Sequence, residues 1–135
     1  MMNQYVSPML IGDEGRMRVL IVDDDDLMLD SCAAALSAHG HEIRATDGVG
    51  ALKVLAAEPW DAVVIDILMP NVDGIEVIGA AKRLAQPPLI LAMSGGGRVS
   101  ADECLSLATG LGADAAFTKP IDYAALVRAI EASIP

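Results

Sequence analysis

Three short apolar runs, RVLIV (18–22), DAVVID (61–66) and LILAM (89–93), constrain this chain more than anything else in it. None alternates polar with apolar residues, so each reads as a strand covered on both faces. Strands of that kind belong to parallel sheets with helices on either side, and helical patterns do lie between them. After the first run, Leu29, Cys32, Ala33 and Leu36 share one i, i+3, i+4, i+7 face. Asp26 is expected to cap that helix and Gly40 to end it. HEIRA (41–45) reads as a second, weaker strand and GVGALKVLAA (48–57) as a short helix. Further helices are expected from Asp73 to about Ala85, over roughly 101–109, and from Asp122 onward, with DAAF (114–117) as a fifth strand.

The order is therefore βα repeated five times. Strands joined through helices run parallel, and right-handed crossovers place helices on both faces. Ligands of such open sheets sit outside the carboxyl ends of the strands. The residues standing there are Asp23 and Asp24, Asp66, Ser94 and Lys119. Three converging carboxylates form a hard-oxygen site without His or Cys, which suits Mg²⁺. A divalent cation also accounts for VLIVDDDD, whose adjacent carboxylates would otherwise repel one another by about 1 kcal/mol per pair even in water. A carboxylate beside Mg²⁺ can attack phosphorus, and a lysine and a hydroxyl can hold the phosphoryl oxygens.

Bulk properties narrow the field. The chain has 135 residues, 53 % of them hydrophobic, enough for one well-filled core and too apolar for a disordered segment. Its net charge of −10 repels phosphate backbones and argues against nucleic acid as a partner. No apolar run approaches the ~20 residues of a membrane span, and the N-terminus lacks the pattern of a secretory signal. A soluble cytoplasmic protein is expected. Cys32 and Cys104 have no metal-type spacing and read as buried free thiols. His39 and His41 read as surface residues, Trp60 as a packing residue, and Asp25 as exposed and expendable. Residues 1–16 read as a flexible extension preceding a folded unit over 17–135.

At this point the sequence resembles the receiver domain of bacterial two-component response regulators. The resemblance rests on VLIVDDDD, VVIDILMPNVDGIE, MSG and GADAAFTKP, which cover the chain from about Arg18 to its end. It implies a flavodoxin-like (βα)5 α/β fold with a five-stranded, doubly wound parallel sheet in the order 2-1-3-4-5. It implies Asp66 as phosphoacceptor, with Lys119 and Ser94 completing the phosphoryl site. It implies Mg²⁺, with Mn²⁺ as a substitute, held by Asp24, Asp66 and the backbone carbonyl of Leu68, and by Asp23 through a water. Pro120 would follow a cis peptide bond, and Met69, Pro70 and Gly74 would shape the loop beside the site. The implied partners are a sensor histidine kinase or histidine phosphotransfer protein and a downstream protein of unknown identity, with a homodimer through the 101–135 face compatible with the pattern. The expected role is that of a stand-alone signalling switch, not an enzyme in the ordinary sense.

Two departures stand out. The family often carries Tyr or Phe three residues before the lysine, where this chain has Ala116. Phe117 follows and faces the other way by strand alternation. The GGGRVS loop (95–100) is longer and richer in glycine than in compact members, so it is expected to reorganise on phosphorylation in place of an aromatic rotation. Two rivals follow. One is a receiver-like docking module independent of phosphate, favoured by Ala116. The other is a small Mg²⁺-dependent phosphatase of the haloacid-dehalogenase type, reading Asp23 and Asp25 as a D-x-D pair.

Overall fold

The computed structural model describes residues 3–6, 15–67, 74–94 and 101–133. Along the chain lie β1 (Asn3–Val6), β2 (Arg18–Val22), α1 (Asp26–Ser37), β3 (Glu42–Thr46), α2 (Gly48–Ala57), β4 (Ala62–Asp66), α3 (Gly74–Lys82), β5 (Leu89–Ser94), α4 (Ala101–Gly110), β6 (Ala115–Thr118) and α5 (Tyr123–Glu131). The sheet order is β1-β3-β2-β4-β5-β6. Every pair from β3 to β6 is parallel. These five strands are the expected 2-1-3-4-5 sheet.

The sixth strand was not expected. Where residues 1–16 read as a flexible extension, Asn3–Val6 pairs antiparallel with β3, Asn3 opposite Ala45 and Val6 opposite Glu42. The physical reason is backbone supply. Without β1, β3 would be an edge strand with a free row of N–H and C=O groups, which any extended segment can satisfy whatever its side chains.

Alternation along the strands sorts the core into two layers. Val19, Ile21, Val64 and Met93 pack with Leu29, Cys32 and Leu36 of α1 and Leu126 and Ile130 of α5. Leu20, Val22, Ile65 and Ile90 pack with Val54 and Leu55 of α2 and Val77 and Ile78 of α3. All five residues of β4 are buried, as befits the centre of the sheet. Phe117 joins the α1/α5 layer and Ala116 the α2/α3 layer, as alternation predicts. Burial pushes the Cys32 thiol up to about 11, so it behaves as an inert apolar group. The side chain of Cys104 lies outside what is described.

The amino ends of the strands are closed by side chains. Arg18 N–H donates to Asp61 Oδ2 at 2.8 Å, and Ile90 N–H to Asp114 Oδ2 at 2.8 Å. Trp60 is buried, donates to the Val54 carbonyl, and lies under the guanidinium groups of Arg18 and Arg44. His41, read from sequence as a surface residue, is 1 % exposed. It can be buried because both ring nitrogens are satisfied: Nδ1 accepts from Met17 N–H at 3.1 Å, and Nε2 lies 3.0 Å from Glu131 Oε2. His39 is exposed, as expected.

Candidate functional site

At the carboxyl ends of β2, β4, β5 and β6 the chain sets down polar groups where the strands run out of apolar residues. Asp23 follows β2, Asp66 ends β4, Ser94 ends β5, and Lys119 follows β6. Asp23, Asp66 and Ser94 are buried and Asp24 is exposed. Their backbones are tied by bonds that continue the ladder: Asp23 N–H to the Thr46 carbonyl at 3.1 Å, Ile67 N–H to Met93 at 3.0 Å, Lys119 N–H to Ser94 at 2.8 Å. The Lys119–Pro120 peptide is cis.

The side chains converge. Lys119 Nζ donates to Asp23 Oδ2 at 3.2 Å and to Asp66 Oδ2 at 3.1 Å. One carboxylate oxygen from each of Asp23, Asp24 and Asp66 lies within 4.8 Å of the others. Burial raises the Asp23 carboxyl above its ordinary value and the Asp66 charge adds to that, while the Asp25 amide and Lys119 pull the other way. Burial alone would lower the Lys119 ammonium, but Asp66 and then Asp23 outweigh it and hold its pKa above the ordinary lysine value. Ser94 Oγ is buried with no hydrogen-bond partner among the described residues. A hydroxyl left in that condition costs stability, and a ligand oxygen would relieve it.

The donor set fits a small hard cation. Ligands at about 2.1 Å in an octahedron lie roughly 3 Å apart when adjacent and about 4.2 Å when opposite. Oxygens within 4.8 Å of one another are close to those spacings. The exposed Asp24 leaves one side open to water and to a second ligand.

The four consecutive aspartates have four distinct placements. Asp23 is buried, and Asp24 is exposed beside it. Asp25, expected to be expendable, is the N-cap of α1: its carboxylate accepts from Leu27 N–H and Met28 N–H. Asp26, expected as the cap, is the first helical residue, where its charge meets the helix dipole. The cap falls one residue earlier than expected, and the Asp25 amide is itself held, donating to Asp23 Oδ1 at 3.0 Å. The Asp25 carboxylate, committed to the first amides of α1, stands outside the cluster of Asp23, Asp24 and Asp66, so a D-x-D pair of Asp23 and Asp25 is not assembled. Asp47 and Asp122 cap α2 and α5 in the same manner.

Gly74 opens α3 as expected, and its reason is now visible. A Cβ there would lie 2.2 Å from the Asp66 carbonyl oxygen and 2.4 Å from Ile67 Cα. Only a residue without a side chain lets α3 start against the strand that carries Asp66. The expected contributions of Leu68, Met69 and Pro70, the start of a helix at Asp73 and the behaviour of the 95–100 loop all lie outside the described residues.

Comparison with known proteins adds a second line. The family model of the response regulator receiver domain matches residues 19–131. The response regulator MprA of Mycobacterium avium (strain 104) is 45% identical over 62 residues, which are 45% of this chain and 27% of that protein. MprA of Mycobacterium tuberculosis (strain ATCC 25618 / H37Rv) is 44% identical over 62 residues with the same coverage. The matched stretch thus spans about a quarter of the length of these curated relatives. Among solved structures, a CheY-like receiver domain protein from Methanospirillum hungatei JF-1 superposes with a TM-score of 0.76 at 28% identity, over 88% of this chain and 94% of that one. A putative response regulator from Chloroflexus aurantiacus J-10-fl gives 0.75 at 25% identity, over 87% and 98%. No helix among the described residues is long and apolar enough to cross a membrane.

Proposed function

This chain belongs to the response regulator receiver domain family, and on that premise we propose that it is a phosphorylation-operated signalling switch with Asp66 as phosphoacceptor. The observation that carries the reading is the Lys119 ammonium bridging Asp66 and Asp23 at 3.1 and 3.2 Å. It places a fixed cation against the carboxylate that ends the central strand, where negative charge would gather during phosphoryl transfer.

The phosphoryl group comes from a phosphohistidine of a sensor kinase or phosphotransfer protein. An Asp66 carboxylate oxygen forms the new O–P bond as the N–P bond breaks, and the freed imidazole recovers a proton from solvent. Asp24, Asp66 and the Leu68 carbonyl would hold Mg²⁺ or Mn²⁺, with Asp23 acting through a water, and the ion would supply charge neutralisation for the phosphoryl oxygens. Lys119 pairs with one phosphoryl oxygen and Ser94 Oγ donates to another, which ends that hydroxyl's isolation. Water later cleaves the acyl phosphate and returns the carboxylate. Catalysis is thus confined to the domain's own modification. The signal leaves through a protein contact over the 101–135 face, with a downstream partner or a second copy.

Intact mass after incubation with acetyl phosphate, with and without Mg²⁺, tests this on wild type and Asp66→Asn. The expected result is one Mg²⁺-dependent phosphoryl adduct that the variant lacks. A second reading, a docking module independent of phosphate, rests on Ala116, which supplies no ring to rotate. Failure of beryllofluoride to bind wild type would favour it.

A further inference from the structure

We infer that Thr46 and Gly50 act together as positioning residues for Asp23, the end of β3 and the first turn of α2 forming a lock on its backbone; the consequence for Mg²⁺ rests on the function proposed above. Val22 pairs with Thr46 at the end of the β2–β3 ladder. Asp23 N–H then reaches back to the Thr46 carbonyl at 3.1 Å. The Asp23 backbone is thus held in register with Thr46.

Thr46 is 1 % exposed, so it has no room to move outward. The chain turns immediately after it, and the Asp47 carboxylate caps α2 by accepting from Gly50 N–H at 2.8 Å. This draws Gly50 over Thr46. A Cβ at residue 50 would lie 2.1 Å from Thr46 Oγ1, 3.2 Å from Asp47 Oδ1 and 3.5 Å from Thr46 Cβ. Glycine is the least favourable helix residue after proline, yet it stands inside a helix of 10 residues. Close approach to Thr46 explains its presence.

The position matters because Asp23 is tied at three points, each from a different element. Its N–H goes to Thr46 on β3, its Oδ1 accepts from the Asp25 amide before α1, and its Oδ2 accepts from Lys119 after β6. Two of these ties hold the carboxylate and only the Thr46 bond holds the amide. A side chain at residue 50 would push Thr46 and shift the carboxylate relative to Asp24 and Asp66. A small cation tolerates such a shift poorly.

The test uses the full chain as wild type, Gly50→Ala, Thr46→Ala and the double variant. Two quantities are read: amide exchange at Asp23 in metal-free protein, and Mg²⁺ affinity from an NMR titration. In Gly50→Ala, Asp23 exchange is expected to rise and Mg²⁺ affinity to fall, each by about tenfold. Thr46→Ala removes Oγ1 and makes room for the new methyl, so the double variant should return both quantities to within about twofold of wild type, the non-additive coupling expected of residues in contact. A merely structural glycine would lower stability without changing either quantity selectively. Unchanged Asp23 exchange in Gly50→Ala, or a double variant no better than the single one, overturns the lock. If Gly50→Ala does not fold, the double variant must fold and match wild type, and its failure overturns the lock as well. Absence of Mg²⁺ binding by wild type would overturn the proposed metal chemistry instead, leaving Asp23 exchange to decide the lock.

Discussion

The Asp25 amide donates to Asp23 Oδ1 at 3.0 Å, so the residue that caps α1 also fixes one oxygen of the buried carboxylate. Replacing Asp25 by Ala keeps the amide but removes the cap, at a cost of about 1 kcal/mol. Asp25→Ser keeps a capping oxygen and should recover most of that loss. Urea midpoints of the three proteins check this, and equal midpoints for Ala and Ser would show that the cap is immaterial.

Ser94 gives a prediction of unusual sign. Its hydroxyl is buried without a partner among the described residues, so Ser94→Ala removes an uncompensated group. The variant is expected to be more stable than wild type by about 1 kcal/mol, while losing its response to phosphorylation. A thermal melt gives the first quantity. The second comes from comparing backbone NMR spectra with and without beryllofluoride. A destabilised variant would mean that the hydroxyl is satisfied in solution.

Gly74→Ala should be among the most damaging single-methyl changes in the domain. Its Cβ would meet backbone, 2.2 Å from the Asp66 carbonyl oxygen, with no flexible side chain to give way. A loss of roughly 3 kcal/mol is expected, together with loss of acetyl phosphate labelling. Unaltered labelling kinetics would contradict the close packing of α3 on β4.

Glu58 sets a pH dependence far from the site. Arg18 donates to one of its oxygens at 2.9 Å and Arg44 to the other, and these bonds hold its carboxyl below the ordinary 4.5. A depressed carboxylate contributes stability that is present above its unfolded pKa and lost as pH falls through its folded one. The stability gap between wild type and Glu58→Gln should therefore be full near pH 6 and close progressively below about pH 4.5. Denaturant titrations at stepped pH measure it. A gap that ignores pH would dismiss the pairing with both arginines.

Most of the parallel sheet is legible in the sequence because burial on both faces leaves a continuous apolar run, and VVID or VLIV admits few other readings. The cluster of Asp23, Asp24, Asp66 and Lys119 is legible for the same reason: charge appears where the apolar run stops. What escapes is decided by geometry that composition does not carry. Asn3–Val6 is a strand by its pairing with β3, and edge pairing of four residues leaves no periodic pattern in NQYV to read. His41 looks like a surface residue because burial of its ring depends on two partners from distant segments, Met17 and Glu131. Four consecutive aspartates offer four candidate caps, and only the bonds of the folded chain distinguish Asp25, whose carboxylate takes the first amides of α1, from its neighbours. The glycines at 50 and 74 differ from ordinary loop glycines only through what lies over their missing side chains.

The chain's single tryptophan sits beneath two guanidinium groups at the amino ends of the strands, at the opposite end of the sheet from Asp66. Its emission should be indifferent to events at the acidic cluster and should change when the sheet comes apart. The domain thus carries a built-in optical gauge of global unfolding. Titrations with cation or phosphoryl donor can be followed by another signal in the same cuvette, with the integrity of the fold monitored independently throughout.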